Sequence, residues 1–176
     1  MIDEDIIKHI KEGSKEEREK AFAILYDKYK NFVYDFGRTM GLSRDLCFDF
    51  IQVVFFRLFE KINKFKEGKE FFPWFFSLVR NECINFVKRN KKFINNSDND
   101  ISTSVENLNL DEFSIVNEIR DFLNTLPYEE REVIFLKYYQ GFDCKEIAKI
   151  IGVSERKTYI LIERAVEKIK KHLGIS

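Results

Sequence analysis

Aromatic and cationic side chains alternate along one short stretch of the sequence, residues 65–92. The stretch opens with a loop of aromatic, glycine and basic residues: Phe65, Lys66, Gly68, Lys69 and Phe71. Unpaired nucleic-acid strands expose base faces that stack on aromatic rings, at about 1–3 kcal/mol per base, while cations hold the phosphate backbone. This combination of side chains is suited to binding single-stranded nucleic acid.

The stretch continues as a helix that ends in a run of basic residues. One set of its side chains is polar and able to contact bases or phosphates: Arg80, Asn81, Asn85, Lys88 and Arg89. The other set is apolar and recurs at helical spacing: Trp74, Phe75, Leu78, Val79 and Phe86. Such periodicity is typical of a buried face, so each of these rings is better explained by packing than by ligand contact.

A second arrangement suited to nucleic acid lies near the end of the sequence. Asp143 and Glu146 have the spacing of a capping box, Gly152 supplies a turn, and Ser154 caps a long last helix. Two helices joined by a short turn containing glycine form a helix-turn-helix, whose second helix enters the DNA major groove. The residues predicted on its outer face can bind phosphates, guanine edges or a thymine methyl group: Arg156, Lys157, Tyr159, Ile160, Glu163, Arg164, Lys168, Lys170 and Lys171. The opposite, apolar face is predicted to be buried: Thr158, Leu161, Ile162, Ala165, Val166, Ile169 and Leu173.

The elements that must position these residues are all predicted to be helical. Residues 45–62 are so apolar that the helix they form is expected to be covered nearly all round. Ser14 and Glu17 form a capping box that starts an earlier helix, and Asp3 is expected to cap a short first one. Alternation with period two is absent, so we predict an all-α fold in which residues 14–92 form three long helices.

A change of composition divides the chain. Residues 93–113 carry five anions and no cation and are rich in Asn, Ser and Asp. Such a segment buries too little apolar surface to offset the entropy of ordering it. We therefore predict a helical domain over 1–92, a flexible acidic linker over 93–111 and a second helical domain over 112–176. In the last domain, a helix beginning at Leu126-Pro127 is expected to close at Gln140-Gly141.

Several function classes are disfavoured by composition. Lys+Arg and Asp+Glu number 30 each, so net charge alone does not indicate a nucleic-acid binder. The three cysteines are far apart and the two histidines lie near the ends, so we expect no metal site, no cofactor and no enzymatic activity. The sequence begins with acidic residues rather than a signal peptide, and no apolar stretch reaches the ~18 residues of a membrane span. We expect a cytoplasmic protein without membrane insertion.

The order of these motifs resembles a known family. The run Asp49-Phe-Ile-Gln52-Val-Val-Phe55-Phe-Arg57, the loop 65–71, Leu78-Val-Arg-Asn81 and Lys88-Arg89 are similar to region 2 of bacterial sigma factors of the extracytoplasmic-function (ECF) group. Leu126-Pro127-Tyr-Glu-Glu-Arg131 followed by the helix-turn-helix resembles region 4 of the same sigma-70 family. The resemblance covers nearly the whole chain and implies an alternative sigma factor, which directs RNA polymerase to promoters and helps open the DNA.

The resemblance implies three sets of site residues and three partners, which are core RNA polymerase, promoter DNA and an anti-sigma factor. The polymerase would be bound by a short set on the apolar helix: Asp49, Gln52, Val53 and Phe56. The loop and the helix after it would capture a flipped base of the melted -10 element: Phe65, Lys66, Gly68, Lys69, Phe71, Arg80, Asn81, Asn85, Lys88 and Arg89. The last helix would read the -35 element: Ser154, Arg156, Lys157, Tyr159, Ile160, Arg164 and Lys168.

The sequence also departs from the family pattern. Tyr159-Ile160-Leu161 stands where family members often carry Lys-Ser-Arg, which predicts an unusual promoter sequence. Val53 replaces a frequent acidic residue, and Phe48 replaces a frequent Glu. Two alternatives therefore stay open: a stand-alone helix-turn-helix regulator that uses residues 14–92 for dimerisation or partner binding, and a sigma-like adaptor that has lost DNA recognition.

Overall fold

A computed structural model describes residues 3–90, 119 and 121–175 of the chain. Every regular element in these ranges is helical, which confirms the predicted all-α fold class. The predicted linker, residues 93–111, lies outside the described residues. The predicted domain boundaries on either side of it therefore stay predictions.

The described residues divide into two compact units. Residues 3–37 and 44–90 form the first unit, and residues 38–43 together with those from 119 onward form the second. The first unit contains four α-helices, α1 to α4, and one short 3-10 turn: α1 Asp3–Glu12, α2 Lys15–Thr39, α3 Arg44–Lys61, the 3-10 turn Ile62–Lys64, and α4 Phe71–Arg89. The three long helices predicted over residues 14–92 are therefore present.

Phenylalanine rings from α2, α3 and α4 form the core of the first unit. Phe36, Phe50, Phe75 and Phe76 are each 0% exposed. Phe36 and Phe76 meet edge to face with their ring centres 5.3 Å apart, an arrangement that adds about 0.5–1.5 kcal/mol beyond area burial. The core therefore holds α4 firmly against the helices before it.

The first helix packs through three buried isoleucines and one acidic side chain. The isoleucines are Ile6, Ile7 and Ile10. The expectation that Asp3 caps α1 is wrong, because its carboxylate instead accepts hydrogen bonds from the Lys28 ammonium and the Tyr29 hydroxyl, both at 2.6 Å. Burial and the hydrogen bond to Asp3 raise the pKa of Tyr29, so its phenol stays protonated. Asp3 thus fastens α1 to α2.

The capping box predicted at the start of α2 is present. The Ser14 amide donates to the Glu17 carboxylate at 2.7 Å, and the Glu17 amide donates to the Ser14 hydroxyl at 3.4 Å. The hydrogen bonds from Ser14, the backbone one first, lower the pKa of Glu17. Two amide groups at the helix start are satisfied in this way, so α2 begins at Lys15 as the local sequence indicates.

The third helix is less covered than its composition predicts. Phe48, Phe56 and Phe59 are 49%, 61% and 63% exposed, although Phe50, Val54 and Leu58 on the other side are fully buried. The expectation that α3 is covered nearly all round is therefore wrong within the described part of the chain. One side of α3 belongs to the core and the other carries a row of exposed rings.

The second unit contains a helical segment, three α-helices and one π-helical turn: helical residues 121–125, α5 Tyr128–Ile134, the π turn Phe135–Tyr139, α6 Cys144–Ile151 and α7 Glu155–His172. α5 begins at Tyr128 with Pro127 as its N-cap, slightly later than the predicted start at Leu126-Pro127. The last turn before Gln140 widens into π geometry, which the sequence does not indicate, and the Gln140 amide bonds to the Phe135 carbonyl at 3.1 Å. The wider turn leaves Tyr138 and Tyr139 more than three-fifths exposed.

Aliphatic side chains form the core of the second unit. Leu123, Leu126, Ile134 and Ala165 make one buried cluster. Because Ala165 is small and fully buried, α7 can approach α5 closely at this point. The fold of this unit therefore fixes α7 along its inner face and leaves the outer face open.

Candidate nucleic-acid interface

The four residues predicted to bind polymerase share one face of α3. Asp49, Gln52, Val53 and Phe56 are spaced by three and four residues, which places them side by side on a helix. Asp49 and Gln52 are exposed, Val53 is half-buried, and Phe56 is 61% exposed. The structure therefore brings this set together as a mixed polar and apolar surface.

Sequence reasoning missed two residues of this surface. Phe48 and Phe59 are half or more exposed and extend the row of rings along α3 to either side of Phe56. Nearly every position of α3 is apolar, so periodicity could not distinguish the exposed rings from the buried ones. We name the row formed by Phe48, Phe56 and Phe59 the aromatic stripe. Exposed apolar surface of this kind is available for contact with another protein.

The loop predicted to hold a base has buried rings at both ends. Phe65 and Phe71 are only 4% and 3% exposed, and their ring centres lie 5.7 Å apart. Trp74 packs against both, at 5.3 Å from Phe65 and 5.9 Å from Phe71. The prediction that these two rings contact DNA is corrected, because a buried ring offers no face for a base to stack on. They anchor the loop instead.

The residues between the anchors face solvent. Lys66, Gly68 and Lys69 are exposed, and Gly68 adopts φ 72°, which strongly favours glycine. A Cβ atom added at Gly68 would meet no atom within 4 Å, so the turn requires glycine for its backbone conformation and not for space. The tip of the loop therefore presents two ammonium groups around a tight turn.

The polar residues predicted on α4 lie mostly on one exposed face. Asn81, Asn85 and Lys88 are spaced by four and three residues and are all exposed, as is Arg89. Arg80 is only half exposed and lies at the margin of this face. Two amides and two cations on one side of a helix can hydrogen-bond base edges and phosphates together. We name Asn81, Asn85, Lys88 and Arg89 the α4 polar face.

A charge cluster ties α4 to α3 beneath this region. Glu82 is 7% exposed, and its Oε1 atom lies 3.7 Å from Arg57 Nε and 3.9 Å from Lys61 Nζ. The Arg57 guanidinium also donates to Glu60 at 2.7 Å, and this hydrogen bond is the main reason that the pKa of Arg57 is raised. The two cations lie close enough to the largely buried Glu82 carboxylate to compensate part of its charge. The cluster fixes α4 against the helix that carries the aromatic stripe.

The helix-turn-helix of the second unit is built by local hydrogen bonds, as its sequence predicts. Asp143 and Glu146 form a reciprocal capping box with both bonds at 2.8 Å. Gly152 closes α6 with φ 73°, and the Ser154 hydroxyl accepts from the Lys157 amide at 3.2 Å at the start of α7. Thr158 is fully buried behind this turn. These contacts set the direction in which α7 leaves the turn.

The outer face of α7 carries most of the residues predicted to read DNA. Arg156, Lys157 and Arg164 are exposed, Tyr159 is 60% exposed and Ile160 is 37% exposed. The Ser154 side chain accepts a hydrogen bond as the cap of α7, and its predicted contact with DNA stays a prediction. The predicted inner face is largely confirmed, since Thr158, Leu161 and Ala165 are buried and only Leu173 is exposed within that set.

A cysteine on α6 interacts with an exposed ring on the outer face of α7. A hydrogen bond with the Cys144 side chain is the main cause that raises the pKa of Tyr159. Cys144 is half-buried. The contact joins the first residue of α6 to an exposed ring of α7, and nothing in the sequence spacing of the two residues signals it.

Lys168 is exposed, and its ammonium is paired with a buried carboxylate on α5. Its Nζ atom is 2.8 Å from both carboxylate oxygens of Glu130, which is 5% exposed. Lys168 follows Lys157 by eleven residues, about three helical turns, so the two lysines lie on the same side of α7, next to α5. This ion pair braces α7 against α5, and the prediction that Lys168 contacts the -35 element stays a prediction.

The described residues also bear on metal binding and on membrane insertion. Among these residues no group of three or more His, Cys, Asp or Glu side chains is placed to hold a metal ion. Within the same ranges, no helix has both the length and the apolar character needed to cross a membrane.

The geometry defines a class of protein. One helical unit joins an exposed aromatic stripe to a basic loop and a polar helix face, and a second unit presents the outer face of a helix-turn-helix. Such a chain is a transcription protein that contacts both DNA and another protein.

Comparison with protein families identifies both units. Residues 25–93 match the model for sigma-70 region 2, and residues 117–169 match the model for sigma-70 region 4. The chain belongs to the sigma-70 family, and within it to the extracytoplasmic-function sigma factors. It is an alternative sigma factor that directs transcription initiation.

Relatives of known activity support this assignment along most of the chain. The ECF RNA polymerase sigma factor SigM of Bacillus subtilis is 28% identical over 83% of this chain and 91% of its own length. SigX of the same bacterium is 26% identical over 89% and 86%, and SigW is 27% identical over 95% and 94%.

Solved structures share the fold. CnrH, determined in complex with the cytosolic domain of CnrY, covers 98% of this chain and 97% of its own with a TM-score of 0.73 and 20% identity. The sigma factor RpoE of Bartonella quintana, determined in complex with the anti-sigma factor NepR, covers 89% and 99% with a TM-score of 0.68 and 21% identity.

Proposed function

We propose that this sigma factor binds core RNA polymerase through α3 and divides promoter recognition between its two units. The exposed aromatic stripe beside Asp49 and Gln52 is the observation that carries the proposal. Apolar area removed from water is worth about 25 cal/mol per Å². Exposed Phe56 and Phe59 can therefore supply binding energy, while the Asp49 carboxylate and the Gln52 amide fix the orientation of the partner.

The first unit is proposed to open and read the -10 element. The tip of the loop, with Lys66 and Lys69, would surround a flipped base whose backbone lies along the α4 polar face. Extruding a base costs a few kcal/mol, and charge-assisted hydrogen bonds of about 1.5–3 kcal/mol each can offset that cost. The buried rings Phe65 and Phe71 contribute by holding the loop and not by stacking.

The second unit is proposed to read the -35 element in the major groove. Arg156 and Arg164 can bind guanine edges or phosphates, and Ile160 can contact a thymine methyl group. The first turn of α7 directs its amide groups and the Lys157 ammonium toward a phosphate. Tyr159 and Ile160 stand where relatives of the family often carry Lys and Ser, so the preferred -35 sequence should include an apolar contact.

An anti-sigma factor is the third proposed partner. The similar structure of Bartonella quintana RpoE was determined with the anti-sigma factor NepR bound, and that of CnrH with the cytosolic domain of CnrY bound. A protein that covers the aromatic stripe would exclude polymerase from the same surface. We place this regulation in the cytoplasm, where the polymerase works, and assign the chain no enzymatic activity of its own.

Transcription from purified components tests the division of labour. The variant Asn81→Ala/Lys88→Ala removes two side chains of the α4 polar face, and we expect promoter opening to fall at least about tenfold at unchanged polymerase affinity. The matched control, Lys20→Ala/Asn31→Ala, removes the same residue types from exposed positions on α2 and should open promoters normally.

Two results would contradict parts of the proposal. Normal opening by the α4 variant would show that this face does not contact the -10 element. A protein that binds polymerase but starts transcription at no promoter would be an adaptor, and one that binds duplex DNA without polymerase would be a stand-alone regulator.

A further inference from the structure

The first helix, α1, contacts the beginning of the loop over residues 65–71. The Lys11 ammonium donates a hydrogen bond of 2.6 Å to the carbonyl oxygen of Phe65, a residue 54 positions later. The same Nζ atom lies 5.8 Å from the centre of the Phe65 ring. Lys11 is half-buried, so this charge-assisted hydrogen bond is partly shielded from water. The backbone at the start of the loop is thereby fixed to α1.

The first helix also supports the end of the loop, through α2. Asp3 accepts a hydrogen bond of 2.6 Å from the Tyr29 hydroxyl. The Tyr29 ring, 7% exposed, packs against Phe71 with ring centres 5.8 Å apart. The N-terminal end of α1 therefore fixes the ring against which the second loop anchor packs. Its C-terminal end holds the first anchor directly.

A loop with both ends fixed samples few conformations. The exposed residues 66–70 connect the buried rings Phe65 and Phe71, and the backbone turns at Gly68. If one end is released, more loop conformations become available, and each must be given up when a base is bound. Fixing a binding loop in advance lowers this ordering cost and sharpens selection between ligands.

We propose that Lys11 is a positioning residue for -10 recognition, which acts by fixing the carbonyl of Phe65 and so the shape of the loop. The inference rests on the proposed role of the loop in reading a flipped base. It assigns a promoter-selection role to α1, which lies before the segment that matches the sigma-70 region 2 model at residues 25–93. Lys11 itself contacts no DNA in this account.

The chain contains a reporter for the anchored loop. Trp74 is the single tryptophan of the sequence and packs on both Phe65 and Phe71. In the free protein, Lys11→Met keeps the aliphatic stem and removes the hydrogen bond, so acrylamide should quench Trp74 fluorescence more strongly. Lys11→Arg can still donate to the carbonyl and should restore most of the protection. The matched control Lys8→Met, at an exposed position of the same helix, should leave quenching unchanged.

The functional readout is base discrimination by the reconstituted holoenzyme. We expect Lys11→Met to reduce the preference for the favoured -10 base about tenfold, the effect of one lost hydrogen bond to a charged group. Polymerase affinity should stay unchanged, and Lys11→Arg should recover most of the preference. Far-UV circular dichroism of each variant checks that the helices form.

The loop variant Lys69→Ala separates the two levels of the proposal. If Lys69→Ala leaves base discrimination unchanged, the loop does not read the base, and both the proposed function of the loop and the role of Lys11 fail. If Lys69→Ala reduces discrimination but Lys11→Met does not, the loop function stands and the positioning role of Lys11 is wrong. Unchanged Trp74 quenching in Lys11→Met would overturn the positioning role by itself.

Discussion

Two lysines on α7 differ in the burial of their partners. Lys157 lies 3.4 Å from Glu129, and both side chains are about half exposed, at 48% and 50%. Lys168 lies 2.8 Å from Glu130, whose side chain is 7% exposed. Exposed ion pairs contribute little because water screens them. A buried carboxylate that loses its cation is left with an uncompensated charge, which is costly.

The two lysines should therefore respond differently to the same substitution. Lys168→Met is expected to lower the free energy of unfolding by about 1–3 kcal/mol, since half the lysine is exposed and screening reduces the full buried-pair effect. Lys157→Met is expected to lower it by less than about 1 kcal/mol. Urea unfolding followed by circular dichroism measures both values.

Promoter binding should rank the same two variants in the opposite order, with Lys157→Met having the larger effect. The slope of the logarithm of the promoter-binding constant of the holoenzyme against the logarithm of the salt concentration measures the number of phosphate contacts. Lys157→Met should reduce this slope by about one contact, whereas Lys168→Met should leave it unchanged. If Lys168→Met instead weakened DNA binding without lowering stability, Lys168 would face DNA and its assignment as a brace would be wrong.

Two glycines at turns between helices are required for different physical reasons. Gly152 has φ +73° and open space around an added Cβ atom. At Gly13 an added Cβ atom would lie 2.5 Å from the His9 carbonyl oxygen and 2.9 Å from the Glu17 Cβ atom. Backbone strain therefore limits substitution at Gly152, while close packing between α1 and α2 limits it at Gly13.

Alanine substitution at each glycine tests this difference between elements. Gly152→Ala should cost about 1–2 kcal/mol, the strain of a side chain in the left-handed region. Gly13→Ala requires the backbone to shift and should cost more, because the His9 carbonyl cannot move without disturbing α1. Urea unfolding monitored by Trp74 reports the first unit, so Gly13→Ala should move that transition and Gly152→Ala should not. Equal shifts of this transition in both variants would contradict the conclusion that Trp74 reports the unit containing Gly13 and not the unit containing Gly152.

Local hydrogen bonding explains which elements the sequence could predict. The capping boxes at Ser14 and Asp143 and the cap at Ser154 involve residues three positions apart, so their signal is contained in a few letters. The helices that follow, α2, α6 and α7, each begin at the residue after the predicted cap. The π turn before Gln140 carries no comparable signal, because the residues that form it are ordinary helix formers.

Tertiary contacts explain which parts of the site the sequence could not predict. Phe65 and Phe71 have the composition of a base-stacking pair, yet Trp74 and Tyr29 bury them against the core. On α3 the buried and exposed rings are chemically alike, so only the packing of the first unit decides that Phe56 faces outward. In both places one residue type serves two roles, and the neighbours select between them.

At the scale of the whole molecule, neither unit carries a large excess of positive charge. The chain has 30 cations and 30 anions in total. Because phosphate neutralisation supplies most non-specific affinity for DNA, each unit is expected to bind promoter DNA weakly by itself. Two weak contacts on one chain combine when polymerase holds both units near the same promoter, since the second contact then becomes intramolecular. Polymerase binding is therefore the step that makes recognition selective.

A substitution in the aromatic stripe tests whether promoter recognition depends on polymerase binding. Phe56→Ser replaces a ring that is 61% exposed, so the free energy of unfolding should change little. Loss of an aromatic residue at an interface centre costs at least about 2 kcal/mol, so we expect affinity for core polymerase to fall about 30-fold. Fluorescence anisotropy of labelled protein titrated with core polymerase measures this change.

The matched control for the stripe is Ile24→Ser, which removes a 43% exposed apolar side chain from α2 and should leave polymerase affinity unchanged. Equal weakening by both variants would indicate general loss of surface hydrophobicity instead of a defined site. Normal assembly of Phe56→Ser with polymerase would place the polymerase contact elsewhere. Attachment through α3 would then not explain how the weak DNA contacts of the two units combine.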